Sequence, residues 1–206
     1  MHSFQYLSTC NFDFERRFKL DVIQTIYQRR SIRNFLDKQV EKDMIMTLLK
    51  AATAAPTAAN CQPWEFIVID DVEKLLEIKD KLLFARYNAP VAIVVCGNMK
   101  LAFKGPGKEM WVQDCSAAIE NILIAATSIG LGSVWIGVYP IERNIKPVKN
   151  IFNIPEHVTP LGIVYVGYPA EEKEARTRLD EKRVYWQEYE PSRKHRTKDK
   201  PILGHY

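Results

Sequence analysis

The sequence predicts a layered fold in which helices cover both faces of a sheet. Three observations carry this. The runs from Ser133 to Val138 and from Gly162 to Gly167 are continuously apolar instead of alternating, which is the pattern of strands buried on both faces. Between the strand-like runs lie segments with apolar residues at helical spacing. The longest, Trp111 to Ile129, is apolar nearly all round through Ala117, Ala118, Ile119, Ile122, Leu123, Ala125 and Ala126. Such a helix calls for burial on most sides, as a central helix or one shared with a second subunit.

The elements follow in order. A helix is expected over about Leu20 to Arg30, with Leu20, Ile23, Ile26 and Tyr27 on one face. Ser31, Asn34 and Asp37 then mark a break. A second helix covers about Glu41 to Ala55, striped by Met44, Ile45, Leu48, Leu49 and Ala52. Pro56 ends it, since proline lacks the donor and disfavours helix in the residue before it. Trp64 to Ile69 is β-rich. Asp71 to Tyr87 returns to helical spacing through Val72, Leu75, Leu76, Lys79, Leu82 and Leu83, with the lysine stem snorkelling outward. Val91 to Cys96 reads as a strand and Leu101 to Lys108 as a loop. Gly130 and Gly132 stop the long helix. After Pro169 the chain turns charged. Arg176 to Tyr206 reads as an extended arm, poorly ordered alone and better wrapped on a partner subunit.

Composition narrows the function. The 206 residues suit one domain or two small ones. No apolar run approaches the ~20 residues of a membrane span. The first twenty residues lack the charged start and apolar stretch of a secretory signal, so a cytoplasmic protein is expected. Cys10, Cys61, Cys96 and Cys115 form no C-x-x-C pair and have no histidine at metal-ligand spacing. They read as reduced thiols, with no metal site. A net charge of +4 is a weak excess, and nucleic-acid binding is not expected. The one dense basic stretch, Arg193, Lys194, Arg196, Lys198 and Lys200, reads as a solvated tail. No Ser–His–Asp or Cys–His set can be assembled, because His2, His157, His195 and His205 lie far from the distinctive segments.

Three segments carry chemistry. Arg29-Arg30-Ser31-Ile32-Arg33 puts three guanidinium groups and a hydroxyl within five residues. It is either an anion site, since the planar fork of arginine binds two oxygens at once, or a solvated basic helix end. Ala55 to Trp64 runs from a helix stop into a strand and carries Asn60 and Gln62, amides that both donate and accept. It suits the edge of a planar heterocycle, or it is an ordinary turn. Gly130 to Pro140 places Gly137 within a strand, where glycine weakens the strand unless a ligand or another backbone must come close. The spacing does not fit the dinucleotide fingerprint.

Together with Asp114-Cys115-Ser116-Ala117-Ala118-Ile119-Glu120-Asn121, Gly167-Tyr168-Pro169 and Arg176-Thr177-Arg178, these segments resemble the nitroreductase family over about Ile23 to Trp186. The resemblance implies an α+β three-layer sandwich, a mixed β-sheet flanked by helices, with the C-terminal arm exchanged in a homodimer. It implies an N-terminal extension over 1–19, an FMN-binding domain over 20–190 and a basic tail over 191–206. FMN is the implied cofactor and NADH or NADPH the reductant, with electrons passed by a ping-pong mechanism to nitroaromatics, quinones or similar small oxidants. By position, Arg29, Ser31 and Arg33 hold the flavin with Arg30 assisting, and Arg29 meets the phosphate together with Arg176 and Arg178. Arg33 and Asn60 approach the pyrimidine edge of the ring. Pro56, Thr57 and Gln62 line the site, and Trp135, Ile136 and Gly137 cover one flavin face, with the Gly137 N–H near N5. The hard chemistry belongs to the cofactor, tuned by Arg33 and Gly137.

Two other readings stand beside this one: a flavin-dependent reductive dehalogenase or other specialised flavin chemistry on the same fold, and a non-enzymatic binding module. Phe103, Lys104 and Trp111 form either a substrate lid or ordinary packing.

Overall fold

In a computed structural model, residues 21–82 and 84–192 are described. Leu20, Leu83, Cys10, His2, His195, His205, the extension over 1–19 and the basic cluster from Arg193 to Lys200 lie outside the described residues. The chain divides into two compact units, residues 1–175 and 176–206.

The first unit holds α1 (Val22–Gln28), α2 (Lys42–Thr53), β1 (Trp64–Ile69), α3 (Val72–Lys81), β2 (Val91–Asn98), α4 (Met110–Ser128), β3 (Gly132–Gly137), α5 (Glu142–Phe152) and β4 (Val158–Gly167). The strand order is β1-β2-β4-β3, and every strand pair is antiparallel. A parallel bridge from Ser31 to Ser133 adds a short mixed edge beside β3.

The layers follow from the two-residue period of the strands. Val91, Ile93 and Val95 of β2 pack with Ile45, Leu48 and Ala52 of α2 and Ile119, Ile122 and Ala126 of α4. Their neighbours Ala92, Val94 and Cys96 turn the other way, onto Leu75 and Ile78 of α3 and Ile145, Val148 and Ile151 of α5. The sheet is thus covered on both faces, and the unit is an α+β three-layer sandwich. Every residue of β2 is buried, as its unbroken apolar run requires.

Three helices depart from expectation. The apolar stripe of α1 does not reach the core: Ile23 is 49% exposed and Ile26 41%. Its one buried residue is Thr25. Helix α3 ends at Lys81 instead of Tyr87, because tertiary bonds claim the chain beyond it. Asn88 exchanges two hydrogen bonds with the Phe35 backbone, at 3.0 and 2.7 Å, and the buried Tyr165 hydroxyl donates to Ala85 O at 3.0 Å. Helix α5 has no counterpart in the sequence reading, since Pro147 inside it breaks the expected helical grammar. The burial of Ile145, Val148 and Ile151 outweighs that defect, and Asn153 closes the helix in the left-handed conformation (φ 50°). Among the described residues no helix is long and apolar enough to cross a membrane.

In the second unit, described to residue 192, regular structure is confined to a short 3₁₀ turn at Glu181–Arg183. Leu179 and Trp186 there are largely exposed.

Candidate functional site

The arginine–serine run is stitched along its length. Helix α1 stops at Gln28, and the Arg29 N–H still reaches Thr25 O at 2.9 Å. Beyond it, Ile32 N–H donates to Ser133 O at 2.9 Å, fixing the run against β3. The approach is close: a Cβ on Gly132 would sit 2.8 Å from the Ile32 side chain. Further on, Leu36 N–H donates to Tyr168 O (2.8 Å) and Ala170 N–H to Asn34 O (2.9 Å). The run therefore spans from β3 to the segment after β4.

Its side chains have distinct surroundings. Arg29 is half-buried, with Nε 3.3 Å from Glu120 Oε1 of α4. Arg30 donates to the Glu174 carbonyl. Arg33 is exposed and makes no ion pair among the described residues; its side chain makes a long 3.4 Å contact to Ser31 O. The Arg33 N–H donates to Glu171 Oε1 at 2.6 Å. Lys173 Nζ lies 2.7 Å from Ser31 O and 3.0 Å from Glu171 Oε1. The Arg33 backbone N–H, then Lys173, hold the Glu171 carboxyl below its ordinary range. A cleft of about 510 Å³ opens here, lined by Gln28, Arg30, Gly132, Glu171 and Lys173 among others.

The Asn60 loop is a tightly wound turn. Ala59, Asn60 and Gln62 all take positive φ (49°, 54° and 49°). Left-handed non-glycine residues carry a strain that surrounding structure must hold in place. Gln62 N–H donates to Thr57 Oγ1 (3.1 Å), and Gln62 Nε2 to Asn60 Oδ1 (3.0 Å). That pairing leaves the Asn60 NH₂ as a donor and the Gln62 side-chain oxygen as an acceptor. Pro56, Asn60 and Gln62 are exposed and Thr57 half-buried. Behind the loop, the 4%-exposed Asp114 of α4 accepts the Ala58 N–H at 2.9 Å.

The end of β3 supplies a third surface. Gly137 pairs with Gly162 of β4, and a Cβ added at Gly137 would meet nothing within 4 Å. Trp135 folds back instead: a Cβ on Gly162 would lie 2.3 Å from its Nε1. Ile136 is buried in the sheet and Trp135 partly exposed.

Helix α4 backs two of these pieces. Glu120 meets Arg29 and Asp114 meets the Asn60 loop. The two residues are about 9 Å apart along the helix at 1.5 Å rise per residue. Arg176 and Arg178 belong to the second unit, where both are exposed.

Trp111 is packing and not a lid: it is 3% exposed, with its ring edge-on to Tyr139 at 4.9 Å. The Tyr139 hydroxyl donates to Glu109 at 3.4 Å, and burial, then that carboxylate, raises its pKa. Lys104 Nζ is spent on Met99 O and Lys100 O. Phe103 stays exposed and lies across Gly107. Cys96 and Cys115 are buried thiols, each pushed up to about 12, chiefly by desolvation, while Cys61 is half-buried in the Asn60 loop. His157 is half-buried and serves through its carbonyl, which accepts the Met99 N–H. Among the described residues no cluster of His, Cys, Asp or Glu is suited to a metal ion.

Asp114, Asn121, Glu171 and Lys173 carry roles that the sequence reading did not assign. Their partners lie 56, 70 and up to 142 residues away, so no local pattern reveals those contacts, although Asp114 and Asn121 bound one of the motif segments.

The nitroreductase family model matches residues 26–85 and 77–168. An Archaeoglobus fulgidus protein named "Putative NADH dehydrogenase/NAD(P)H nitroreductase" is 46% identical over 170 residues, covering 80% of this chain and 97% of that one. The crystal structure of a Parabacteroides distasonis protein of the same name superposes with a TM-score of 0.77 at 35% identity, covering 83% of this chain and all of that one. An FMN-dependent nitroreductase from Clostridium difficile R20291 superposes at 0.73 with 33% identity, covering 81% and 99%. With motifs, fold and family match in agreement, the chain belongs to the nitroreductase family.

Proposed function

We propose that this chain is an FMN-dependent oxidoreductase that takes electrons from NADH or NADPH and delivers them to nitroaromatics, quinones or similar small oxidants by a ping-pong mechanism. The observation that carries this reading is the Ser31–Ser133 bridge, which ties the arginine–serine run to the strand ending at the open Gly137. The FMN dependence of the Clostridium difficile relative points the same way.

The residues present fit such a cofactor. A phosphate monoester carries roughly 1.5 to 2 negative charges near neutrality, and Arg29, Arg30 and Ser31 offer matching donors. Each charge-assisted hydrogen bond contributes about 1.5–3 kcal/mol. Arg33 and the free donor and acceptor of Asn60 and Gln62 suit the mixed polar edge of the ring. Pro56 and Thr57 line the same loop. Gly137, without a side chain, offers its open face to the ring, beside Trp135 and Ile136. When bound, FMN supplies hydride acceptance from the nicotinamide and electron delivery to the oxidant. The chain binds and orients the ring, and the Arg33 guanidinium offsets negative charge at its edge.

A homodimer with exchanged C-terminal arms is part of this reading. The exposed apolar residues Val22, Ile23, Ile26 and Tyr27 of α1 support it, since contiguous exposed apolar surface marks interaction sites.

Steady-state kinetics test the function. With FMN loaded, varying NADH or NADPH against a quinone or nitroaromatic gives parallel double-reciprocal lines. Intersecting lines contradict the ping-pong sequence, and absence of turnover with every acceptor contradicts the activity. A monomeric mass by light scattering contradicts the dimer.

A further inference from the structure

We propose that Glu171 and Lys173 form a positioning pair for the cofactor site: their mutual bond fixes the backbone of the Ser31–Asn34 run and keeps the Glu171 carboxylate off the Arg33 guanidinium. The inference rests on the reading that Arg33 holds FMN.

The contacts divide the labour. Glu171 Oε1 accepts the backbone N–H groups of Arg33 (2.6 Å) and Asn34 (3.3 Å) and lies 3.0 Å from Lys173 Nζ. Lys173 Nζ in turn takes the Ser31 carbonyl at 2.7 Å. The same carbonyl also accepts a long 3.4 Å bond from Arg33 Nη1, so lysine holds it more closely than the arginine does. Both side chains are about three-quarters shielded from solvent, at 28% and 24% exposure.

The neighbouring charges are engaged elsewhere. Arg29 pairs with Glu120, and Arg30 donates to the Glu174 carbonyl. Of the three arginines, Arg33 makes only a long carbonyl contact and no ion pair among the described residues. A free carboxylate beside an arginine forms a bidentate pair readily. Glu171 accepts from Arg33's own backbone N–H, which brings a carboxylate beside that residue. Lys173 prevents the pairing by satisfying Glu171, and the arginine keeps its charge for an anion or an electron-rich ring edge.

The two charges are therefore expected to be epistatic. In K173M the carboxylate loses its cation and turns to Arg33, so FMN binding weakens. In E171Q the amide oxygen still accepts the Arg33 N–H and carries no charge, so binding falls less than in K173M. In E171Q/K173M the competing carboxylate is gone and affinity recovers.

The test is a flavin-fluorescence titration of wild type and the three variants, with apo-protein melting temperatures measured alongside. K173M is expected to weaken FMN binding roughly tenfold, the scale of coupling within one hydrogen-bond network, and E171Q/K173M to bind more tightly than K173M. Should K173M not fold, K173Q keeps a donor toward Ser31 without the charge and gives the same comparison. Unchanged affinity in K173M, or a double variant as weak as K173M, overturns the proposal. Apo melting temperatures that fall in parallel with affinity, with no rescue, overturn it as well and assign the pair to fold stability alone. A wild-type protein that takes up no FMN overturns instead the underlying functional reading.

Discussion

Asp114 and Asn121 stand seven residues apart on α4 and grip the same stretch of chain. Asp114 Oδ1 accepts the Ala58 N–H at 2.9 Å, and Asn121 Nδ2 donates to Ala51 O at 2.9 Å. Two turns of about 3.6 residues bring both side chains to one face of the helix. The chain from the end of α2 to the Asn60 loop is thereby bolted to α4 at both ends, and the strained turn at 59–62 has a rigid base.

Removing a bolt leaves a backbone group without its partner. D114A is expected to destabilise the protein by about 1–3 kcal/mol, the cost of an unsatisfied shielded donor. N121A removes a neutral bond and is expected to cost about 1 kcal/mol. Urea denaturation of the apo-protein measures both. A D114A midpoint equal to wild type contradicts this role.

Gly137 and Gly162 face each other across β3 and β4 and are expected to respond in opposite ways. A Cβ at Gly162 would lie 2.3 Å from Trp135 Nε1 and 2.9 Å from Ile136 O, so G162A costs about 1–3 kcal/mol through overpacking. A Cβ at Gly137 meets nothing, so G137A stays within about 0.5 kcal/mol of wild type. It nevertheless weakens FMN binding, because the methyl group fills the space reserved for the ring. Melting curves paired with flavin titration separate the two effects.

Acid stability reports on Glu171. Its pKa in the folded protein is lowered, first by the Arg33 backbone N–H and then by Lys173. A lowered pKa means the stabilisation is present above the ordinary glutamate range and is lost as pH falls through it toward the lower native value. Denaturation midpoints from neutral pH down through the carboxylate range are expected to fall less in E171Q than in wild type. Equal slopes contradict the bond pattern around this carboxylate.

The thiols offer a probe of packing. Desolvation pushes Cys96 and Cys115 up to about 12, so neither forms appreciable thiolate at neutral pH. Iodoacetamide labelling read by mass spectrometry is expected to spare both until denaturant is added, while Cys61 reacts in the native protein. Labelling of Cys115 without denaturant contradicts the buried core.

Much of the fold is legible in the sequence because burial and period leave a local trace. The unbroken run of β2 and the stripe of α2 announce both layers. The failures have physical causes. Pro147 hides α5, whose amphipathic face forms regardless. Leu82 and Ala85 continue the apolar spacing of α3, yet Asn88 and Tyr165 pull that segment out of the helix. The stripe of α1 is real but faces outward in one chain. Of the candidate site, the residue types proposed to meet a cofactor are legible as motifs. The residues that hold those motifs in place, Asp114 and Glu171, act through partners distant in sequence and leave no periodic signal.

In the proposed reading, the Arg29–Arg33 run, the Asn60 loop and the open Gly137 together seat FMN. Titration of the purified protein with FMN, read by quenching of flavin fluorescence, tests it most directly. Saturable, stoichiometric binding is expected, with a Kd of about a micromolar or tighter, weakened in both R29A and R33A. A protein that leaves flavin fluorescence unchanged well above that concentration, while remaining folded, contradicts it.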